Sequence, residues 1–221
     1  MRYRKQLYLK SDNGFEEAVV RNYTREDFDV LITIQSESFP PPFPPELWWN
    51  KAQLENHITL FPEGALCVEV NGVLAGSMTG LIVDFNPEHP EHTWEEITDD
   101  GYIRNHNPNG NTLYVVDICI RPAFRKLALG KLLMQAMYEV VIYKDLDRLL
   151  GGGRMPGYAK HAEHLSAEAY LAEVVRGKRK DPVITFLLNA GRVPIGVVAN
   201  YLEDEESLNY AALMEWKNPF K

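Results

Sequence analysis

The amino-acid sequence predicts a single α/β domain. Apolar runs typical of β-strands alternate along the chain with segments that have the 3.6-residue periodicity of helices. Neither an internal repeat nor a composition typical of a linker interrupts this alternation. A chain of 221 residues is also long enough to bury one large core. We therefore expect one domain over residues 1–221.

The N-terminal part predicts a strand and two helices. Ala18–Arg21 has strand character, and Thr24 with Asp27 has the N-cap pattern of a following helix. The segment Phe39–Pro45 ends that helix, because proline lacks the amide hydrogen and restricts the residue before it. We expect a second helix to begin near Pro45.

A hairpin and a long loop follow. Asn71-Gly72 joins two apolar runs, Ala65–Val70 and Val73–Asp84, in a pattern that favours a two-residue β-turn. Residues 85–111 are rich in acidic residues, histidine, proline and glycine. We interpret them as a long loop or insertion, a class of segment that is usually functional or mobile.

The second half continues the alternation. Residues 112–120 read as a strand, and residues 129–141 place their apolar side chains on one face of a helix. The remaining predicted elements are a strand from Leu149 into Gly151–Gly153, a helix capped by Ser166 and ended by Gly177, a helix from Asp181-Pro182 to Gly191, and strands near Val193–Ala199 and Tyr210–Trp216.

Composition narrows the class of protein. The net charge of −8 argues against a general nucleic-acid binder, which would carry a basic face. The two cysteines, Cys67 and Cys119, provide neither a disulfide framework nor a zinc ribbon. No apolar run approaches the length of a membrane span, and the start Met-Arg-Tyr-Arg-Lys lacks the apolar segment of a signal peptide. We expect a cytoplasmic protein that does not act at a membrane.

The junction of strand and helix at residues 112–133 predicts an anion site. A basic turn there opens a helix, whose first amide groups and positive end attract phosphates. A P-loop does not fit, because Leu132 replaces the hydroxyl residue that would hold magnesium. A dinucleotide-binding motif at Gly151–Gly153 does not fit either, because Pro156 opposes a helix that continues from the turn.

The sequence Arg125–Gly130 resembles the Q/R-x-x-G-x-G/A signature of the GNAT family of acyl-CoA-dependent N-acetyltransferases. The preceding strand Asp117–Ile120 and its spacing to Arg125 match the family pattern, and the helix ending at Gly191 resembles the last helix of the family. The run from Asp181 to Trp216 is similar to a bacterial subgroup that is sometimes fused to a carbon-nitrogen hydrolase.

This resemblance implies a fold and its extent. The family has a mixed, mostly antiparallel twisted sheet with helices on both faces, and it binds coenzyme A where the two parallel central strands splay apart. Residues 18–217 follow the order of elements in the family, with insertions at about 85–111 and 154–180. The family's exposed strands often pair, so a homodimer is compatible with the resemblance.

The resemblance also implies the cofactor contacts. Acetyl-CoA would serve as co-substrate, with its pyrophosphate on the backbone of the turn and its pantetheine arm along the edge of the motif strand. Ala128 departs from the glycine that is most frequent in the family. The expected cofactor-binding residues are Ile118, Cys119, Ile120, Arg125, Lys126, Leu127, Ala128, Leu129, Gly130 and Lys131.

Asp117 is the candidate catalytic residue. An alkyl amine is only about one part in a thousand neutral at pH 7, so a nearby base would aid its attack on a thioester. Asp117 is the single charged residue in an apolar strand, and it could instead only hydrogen-bond the backbone where the strand bulges. Cys119 is interpreted as a small core residue rather than a nucleophile.

The family's usual proton donor is missing. The tyrosine of its last helix corresponds here to Leu187, so no general acid is assigned. The tyrosines that could replace it, all with ordinary packing as the alternative interpretation, are Tyr158, Tyr170 and Tyr201.

The acceptor is expected to be a primary amine of a small molecule or peptide. The resemblance places Phe39–Trp49 and the acidic run Glu203–Glu206 at the acceptor site, which favours a cationic amine. The acidic run could instead be a solvated turn, and the prolines could be a ligand for a proline-binding domain. His89, His92 and His106 lack the spacing of a metal site, so no metal is expected.

Two functions remain open at this stage. The first is an acetyl-CoA-dependent N-acetyltransferase that acts by direct transfer. The second is a GNAT-like sensor or regulatory module that binds acyl-CoA with little catalysis. Leu187 favours the second function, whereas Asp117 and the insertions favour the first.

Overall fold

The structure is a computed structural model that describes residues 2–12 and 14–221. In this part of the chain, eight strands form one sheet in the order β1-β2-β3-β4-β5-β6-β8-β7. The strands are β1 (Arg4–Ser11), β2 (Gly14–Asn22), β3 (Ala65–Val70), β4 (Val73–Val83), β5 (Thr112–Ile120), β6 (Arg148–Arg154), β7 (Val193–Val198) and β8 (Ala211–Lys217). The α-helices are α1 (Phe28–Ser38), α2 (Lys51–Leu60), α3 (Trp94–Thr98), α4 (Leu129–Tyr143), α5 (Ala167–Val175) and α6 (Pro182–Asn189).

The sheet is mixed and mostly antiparallel. Neighbouring strands run antiparallel except for β5 and β6, which are parallel and lie near the centre. Helices α1 and α4 both pack against the central strands β4 and β5. This arrangement confirms the predicted α/β fold class.

The N-terminal hairpin is a part of the sheet that the sequence analysis did not predict. Strand β1 pairs along its whole length with β2, from Arg4 opposite Arg21 to Ser11 opposite Gly14. As an edge strand, β1 keeps most of its side chains exposed or half-buried, and Tyr8 is 66% exposed. A strand without a fully buried face lacks the apolar alternation that identifies strands in a sequence.

The predicted cap at Thr24 and Asp27 is confirmed, whereas the second helix begins later than predicted. The Asp27 carboxylate accepts a hydrogen bond from the Thr24 amide at 2.8 Å, as the cap pattern predicts. The proline at position 45 opens only a short 3₁₀ turn, Pro45–Leu47. Helix α2 starts later because Asn50 caps it, with its side-chain oxygen accepting from the Gln53 amide at 3.0 Å.

The segment 85–111 is folded against the core rather than being only a long loop. It contains α3, and it buries Trp94 and Ile103, which are 8% and 0% exposed. The Gly101 carbonyl lies 2.7 Å from His57 Nε2 of α2. A helix of one turn and two buried residues gives too short a periodic signal to be recognised in the sequence.

Helix α4 is the longest helix of the described chain and confirms the prediction for residues 129–141. Its buried face includes Leu133, Met137 and Val140, each of which is 0% exposed. The part of the chain that the structure describes contains no helix with both the length and the apolar character needed to cross a bilayer. The residue before α4, Ala128, has a left-handed backbone with φ of 55°.

The left-handed conformation of Ala128 generates a stability prediction. For a residue with a Cβ atom this conformation costs about 1–2 kcal/mol. Glycine avoids this cost, but its unfolded chain has more conformational entropy, which cancels part of the gain in stability. We expect Ala128→Gly to raise the free energy of unfolding by up to about 1 kcal/mol in urea titrations. The matched control is Gly177→Ala, at φ of 72° with open space around the added Cβ, which should lower stability by a similar amount. A loss of stability in Ala128→Gly would contradict the strain at this turn.

Candidate functional site

The central cleft forms where β5 and β6 part. Residues Thr112–Tyr114 of β5 pair with Arg148–Leu150 of β6. After Leu150, β6 pairs only with β8. Beyond Tyr114, the edge of β5 that faces β6 therefore has no strand partner. The space between the strands is a cavity of about 600 Å³.

A β-bulge in β5 bends the strand at this point. Val115 lies opposite Gly80 and Asp117 lies opposite Thr79, so Val116 is an extra residue without a partner in β4. The Val116 carbonyl accepts a hydrogen bond from the Trp94 indole N–H at 3.0 Å. The folded insertion thus satisfies the carbonyl that the separation of the strands leaves unpaired.

The open edge of β5 exposes the backbone that the sequence analysis singled out. The Arg121 amide bonds to the Ala75 carbonyl at 2.9 Å, so the polar groups of residue 121 face β4. Because these groups alternate along a strand, those of Ile118 and Ile120 face the cleft instead. The Ile120 carbonyl there accepts a hydrogen bond from Arg125 Nε at 3.3 Å. Ile118 and Ile120 are both lining residues of the cavity.

The turn before α4 brings amide and cationic groups to the mouth of the cleft. The amides of Leu129 and Gly130 find no acceptor among the described residues, whereas the Lys131 amide bonds to the Ala128 carbonyl at 3.0 Å. Arg125 reaches across the mouth to the Ser38 carbonyl at 3.2 Å. Helix α4 therefore presents unbonded amides and its positive end to the cavity, as an anion site requires.

The predicted turn residues differ in what they present to the cleft. Arg125, Ala128, Gly130 and Lys131 line the cavity. Leu129 is 1% exposed and belongs to the core, and it does not line the cavity. Lys126 and Leu127, the other two residues of the turn, do not line the cavity either.

Gly130 allows close packing between α4 and α6. A Cβ atom at this position would lie 3.1 Å from Cζ of Phe186 in α6. The small residue therefore allows Phe186, which also lines the cavity, to pack against the start of α4.

Asp117 lies in the cleft and is held by Gln35 of α1. The Gln35 side-chain N–H donates to Asp117 Oδ2 at 2.9 Å, and its oxygen accepts from the Trp49 amide at 3.0 Å. Burial raises the pKa of the Asp117 carboxyl from 3.8 to about 7, against the opposing effect of the Gln35 hydrogen bond. The carboxyl is therefore more basic than an ordinary aspartate.

Cys119 is a buried thiol, as expected. Its sulfur lies 3.4 Å from the Ser77 hydroxyl, and the residue is 3% exposed. Burial raises the pKa of the Cys119 thiol well above its usual value. A thiol that stays protonated is a poor nucleophile.

Three glycines in β6 let side chains from other elements form the floor of the cleft. Gly151–Gly153 lie within the strand, with no side chains of their own. A Cβ atom at Gly152 would lie 2.3 Å from the Tyr201 ring, and one at Gly153 would lie 2.7 Å from Leu187. A Cβ atom at Gly151 would lie 3.4 Å from the Arg192 guanidinium. Tyr201 and Leu187 thus take the space that side chains at positions 152 and 153 would fill, whereas Arg192 only lies at contact distance from position 151.

Of the three tyrosines considered as proton donors, Tyr201 is the one that lines the cavity. Its hydroxyl lies 2.8 Å from the Tyr114 hydroxyl, which lies 2.8 Å from His92 Nε2. Burial raises the pKa of Tyr201 to about 12. Tyr170 donates to the Asp181 carboxylate at 2.8 Å and Tyr158 bonds to the Leu165 carbonyl at 3.3 Å, so both hold the second insertion.

The proline-rich segment lines the cavity, and the acidic run does not. Phe39, Phe43 and Trp49 are lining residues. Asp204, by contrast, is 6% exposed and accepts two hydrogen bonds from Arg154 at 2.6 and 2.7 Å. Two members of the acidic run, Asp204 and Glu206, are thus paired with Arg154, and the placement of the run at the acceptor site stays a prediction.

Gln35, Trp94 and Arg192 are cleft residues that the sequence analysis missed. Gln35 carried a signal, because it is a polar residue four positions after Leu31 on the buried face of α1. Trp94 and Arg192 carried none, since each reaches the cleft only when distant segments pack together. His92 and His106 bind Tyr114 and the Ile82 amide, respectively, rather than forming one cluster.

Comparisons with known proteins agree with this geometry. The Acetyltransferase (GNAT) family model matches residues 28–151, more than half of the chain. The uncharacterized N-acetyltransferase YkwB of Bacillus subtilis (strain 168) is 57% identical over 216 residues, which cover 98% of this chain and 96% of YkwB. The probable hydrolase YhcX of the same organism is 37% identical over 92% of this chain, which matches 39% of YhcX.

A solved structure shares the fold. The GNAT-like decarboxylase GphF, in complex with isobutyryl-CoA, superimposes with a TM-score of 0.76 over 90% of this chain and 98% of that chain. At 21% identity, this similarity concerns the fold alone. The family match and the 57% identical relative show that the chain belongs to the GNAT family of acetyltransferases and is an acyltransferase.

Proposed function

We propose that this protein is an acetyl-CoA-dependent N-acetyltransferase that transfers the acetyl group to a primary amine by direct attack. The observation that carries the proposal is one continuous path in the cleft. It leads from the unbonded amides at the start of α4, along the open edge of β5, to the carboxyl group of Asp117.

The cleft has groups that fit each part of coenzyme A. The amide of Gly130, with the cations of Arg125 and Lys131, would hold the pyrophosphate. The backbone of β5 at Ile118 and Ile120 would pair with the amides of the pantetheine arm, as an added strand pairs with a sheet edge. The thioester would then lie beside Asp117.

Asp117 would act as the base. A carboxyl with a pKa of about 7 is ionised often enough at neutral pH to accept a proton, and it is more basic than an ordinary aspartate. The amine nitrogen attacks the thioester carbon, its proton passes to Asp117 directly or through water, and the carbon–sulfur bond breaks. Gln35 positions the carboxylate for this step.

Tyr201 would stabilise the leaving thiolate in place of the absent tyrosine at position 187. With a pKa of about 12, its hydroxyl keeps its proton and donates a hydrogen bond to the developing charge. Tyr114 and His92 support the hydroxyl from behind. Leu187, which lines the same cavity, supplies only apolar surface.

The acceptor fits an amine with an apolar portion. Phe39, Phe43 and Trp49 provide an apolar wall, and Asp117 provides the negative group in the cavity that attracts an ammonium ion. Asp204 and Glu206 are paired with Arg154, so Asp117 is the carboxylate of the described chain that lines the cavity.

A screen of amines tests the proposal. The protein is mixed with acetyl-CoA and with polyamines, amino acids, aminoglycosides or peptides with free N-termini, and release of free thiol is followed. We expect turnover with at least one of these classes. Binding of coenzyme A without turnover in any class would favour the acyl-CoA-binding sensor instead.

The pKa of Asp117 generates a pH prediction. The carboxylate is the active form, so kcat/KM of the wild type should rise with pH through about 7 and level off above it. Asp117→Asn should lose this rise and about 100-fold or more in rate, with coenzyme A affinity unchanged. The control is Asp84→Asn, an exposed carboxylate outside the cleft. An unchanged pH profile in Asp117→Asn would remove Asp117 as the base.

Removal of the Tyr201 hydroxyl should slow the chemical step. We expect Tyr201→Phe to lower kcat by about 10- to 100-fold while KM for acetyl-CoA changes little, because the hydrogen bond forms in the transition state. Tyr158→Phe, which removes a hydroxyl outside the cavity, serves as the control and should keep the wild-type rate. Equal rates for Tyr201→Phe and the wild type would exclude the proposed role.

A further inference from the structure

Arg192 is a buried cation without a counter-charge. It follows α6, is 3% exposed and lines the cleft. Its Nη2 donates to the carbonyls of Gly151, at 3.4 Å, and Met214. Neither Nε nor Nη1 makes a hydrogen bond within the described chain, and no carboxylate there forms an ion pair with this guanidinium.

The surroundings of Arg192 are neutral. The groups that influence its charge are the phenols of Tyr138, Tyr114 and Tyr201. Burial lowers the pKa of Arg192 to about 10, so it remains a cation at neutral pH. A buried charge is normally paired, because its removal from water without a partner is costly.

Arg154, another arginine that lines the cleft, is paired with carboxylates, as buried cations usually are. Arg154 binds Asp204 through two hydrogen bonds and lies 3.2 Å from Glu206. Its guanidinium also lies over the Phe43 ring at 5.1 Å. Arg154 is therefore satisfied by the protein, whereas Nε and Nη1 of Arg192 have no hydrogen-bond partner within the described chain.

The space beside Arg192 is open because β6 has glycine there. A Cβ atom at Gly151 would lie 3.1 Å from Val115 Cβ and 3.4 Å from Arg192 Nη2, and its absence keeps the floor of the cleft free next to the guanidinium. This floor lies where β5 and β6 begin to separate, just beyond the pair Tyr114 and Leu150. A group that reaches the inner end of the cleft therefore meets Arg192.

We propose that Arg192 is a carboxylate-binding subsite at the inner end of the cleft, so that one of the two substrates carries a carboxylate in addition to its reacting group. The planar guanidinium with unused N–H donors is suited to a carboxylate. The carboxylate is either on the acyl group of the thioester or on the amine acceptor. This proposal rests on the proposed function, because it takes the cleft as the site of both substrates.

Binding measurements test the subsite without turnover. Isothermal titration compares malonyl-CoA and succinyl-CoA with propionyl-CoA and butyryl-CoA, which lack the carboxylate. In a second arm, the protein loaded with coenzyme A is titrated with phenylalanine and with 2-phenylethylamine, its analogue without the carboxylate. We expect about 10- to 100-fold tighter binding of the carboxylated compound in one arm, as hydrogen bonds to charged groups provide. The arm that shows it identifies the substrate concerned.

The variant Arg192→Met should abolish the preference and keep the affinity for coenzyme A. Arg104→Met, which removes an exposed arginine outside the cleft, is the charge control and should retain the preference. Wild-type protein that binds coenzyme A but shows no carboxylate preference in either arm would overturn the subsite and leave the proposed function intact. Absence of coenzyme A binding would instead overturn the proposed function. The wild-type comparison remains decisive even if Arg192→Met fails to fold.

Discussion

The separation of β5 from β6 beyond Tyr114 is the constraint on which the site depends. Parallel strands normally continue their hydrogen bonds, and breaking them leaves backbone groups unpaired in the interior. Here the bulge at Val116 turns β5 away from β6, and the Trp94 indole N–H donates a hydrogen bond to the Val116 carbonyl. The remaining open edge at Ile118 and Ile120 is the part of the sheet that can pair with an extended ligand.

The charges of the cleft follow from burial rather than from composition. The protein as a whole has a net charge of −8, yet Asp117 is the acidic residue that lines the cavity, together with cations at both of its ends. Arg125 and Lys131 lie at the mouth, and Arg192 lies at the floor. Burial affects the two interior groups in opposite directions, since it raises the pKa of Asp117 and lowers that of Arg192.

Small residues determine which elements can approach one another. The glycines of β6 leave room for Arg192, Tyr201 and Leu187, and Gly130 leaves room for Phe186. The floor of the cleft is therefore built by residues from α6, from the connection between α6 and β7, and from the loop after β7. Leu187 stands at the position where the family usually has a tyrosine, and Tyr201, from the loop after β7, reaches the same cavity.

The sequence by itself determined the fold class, the order of most elements and the turn before α4, because periodicity, caps and the signature motif are local properties of the chain. It also made Asp117 the candidate catalytic residue, since one charge in an apolar strand is visible without a structure. Only the tertiary structure decided that the acidic run binds Arg154 and that Arg192 lacks a partner. These facts depend on contacts between segments about 40 to 50 residues apart, and no local pattern encodes which side chain will reach a given buried charge.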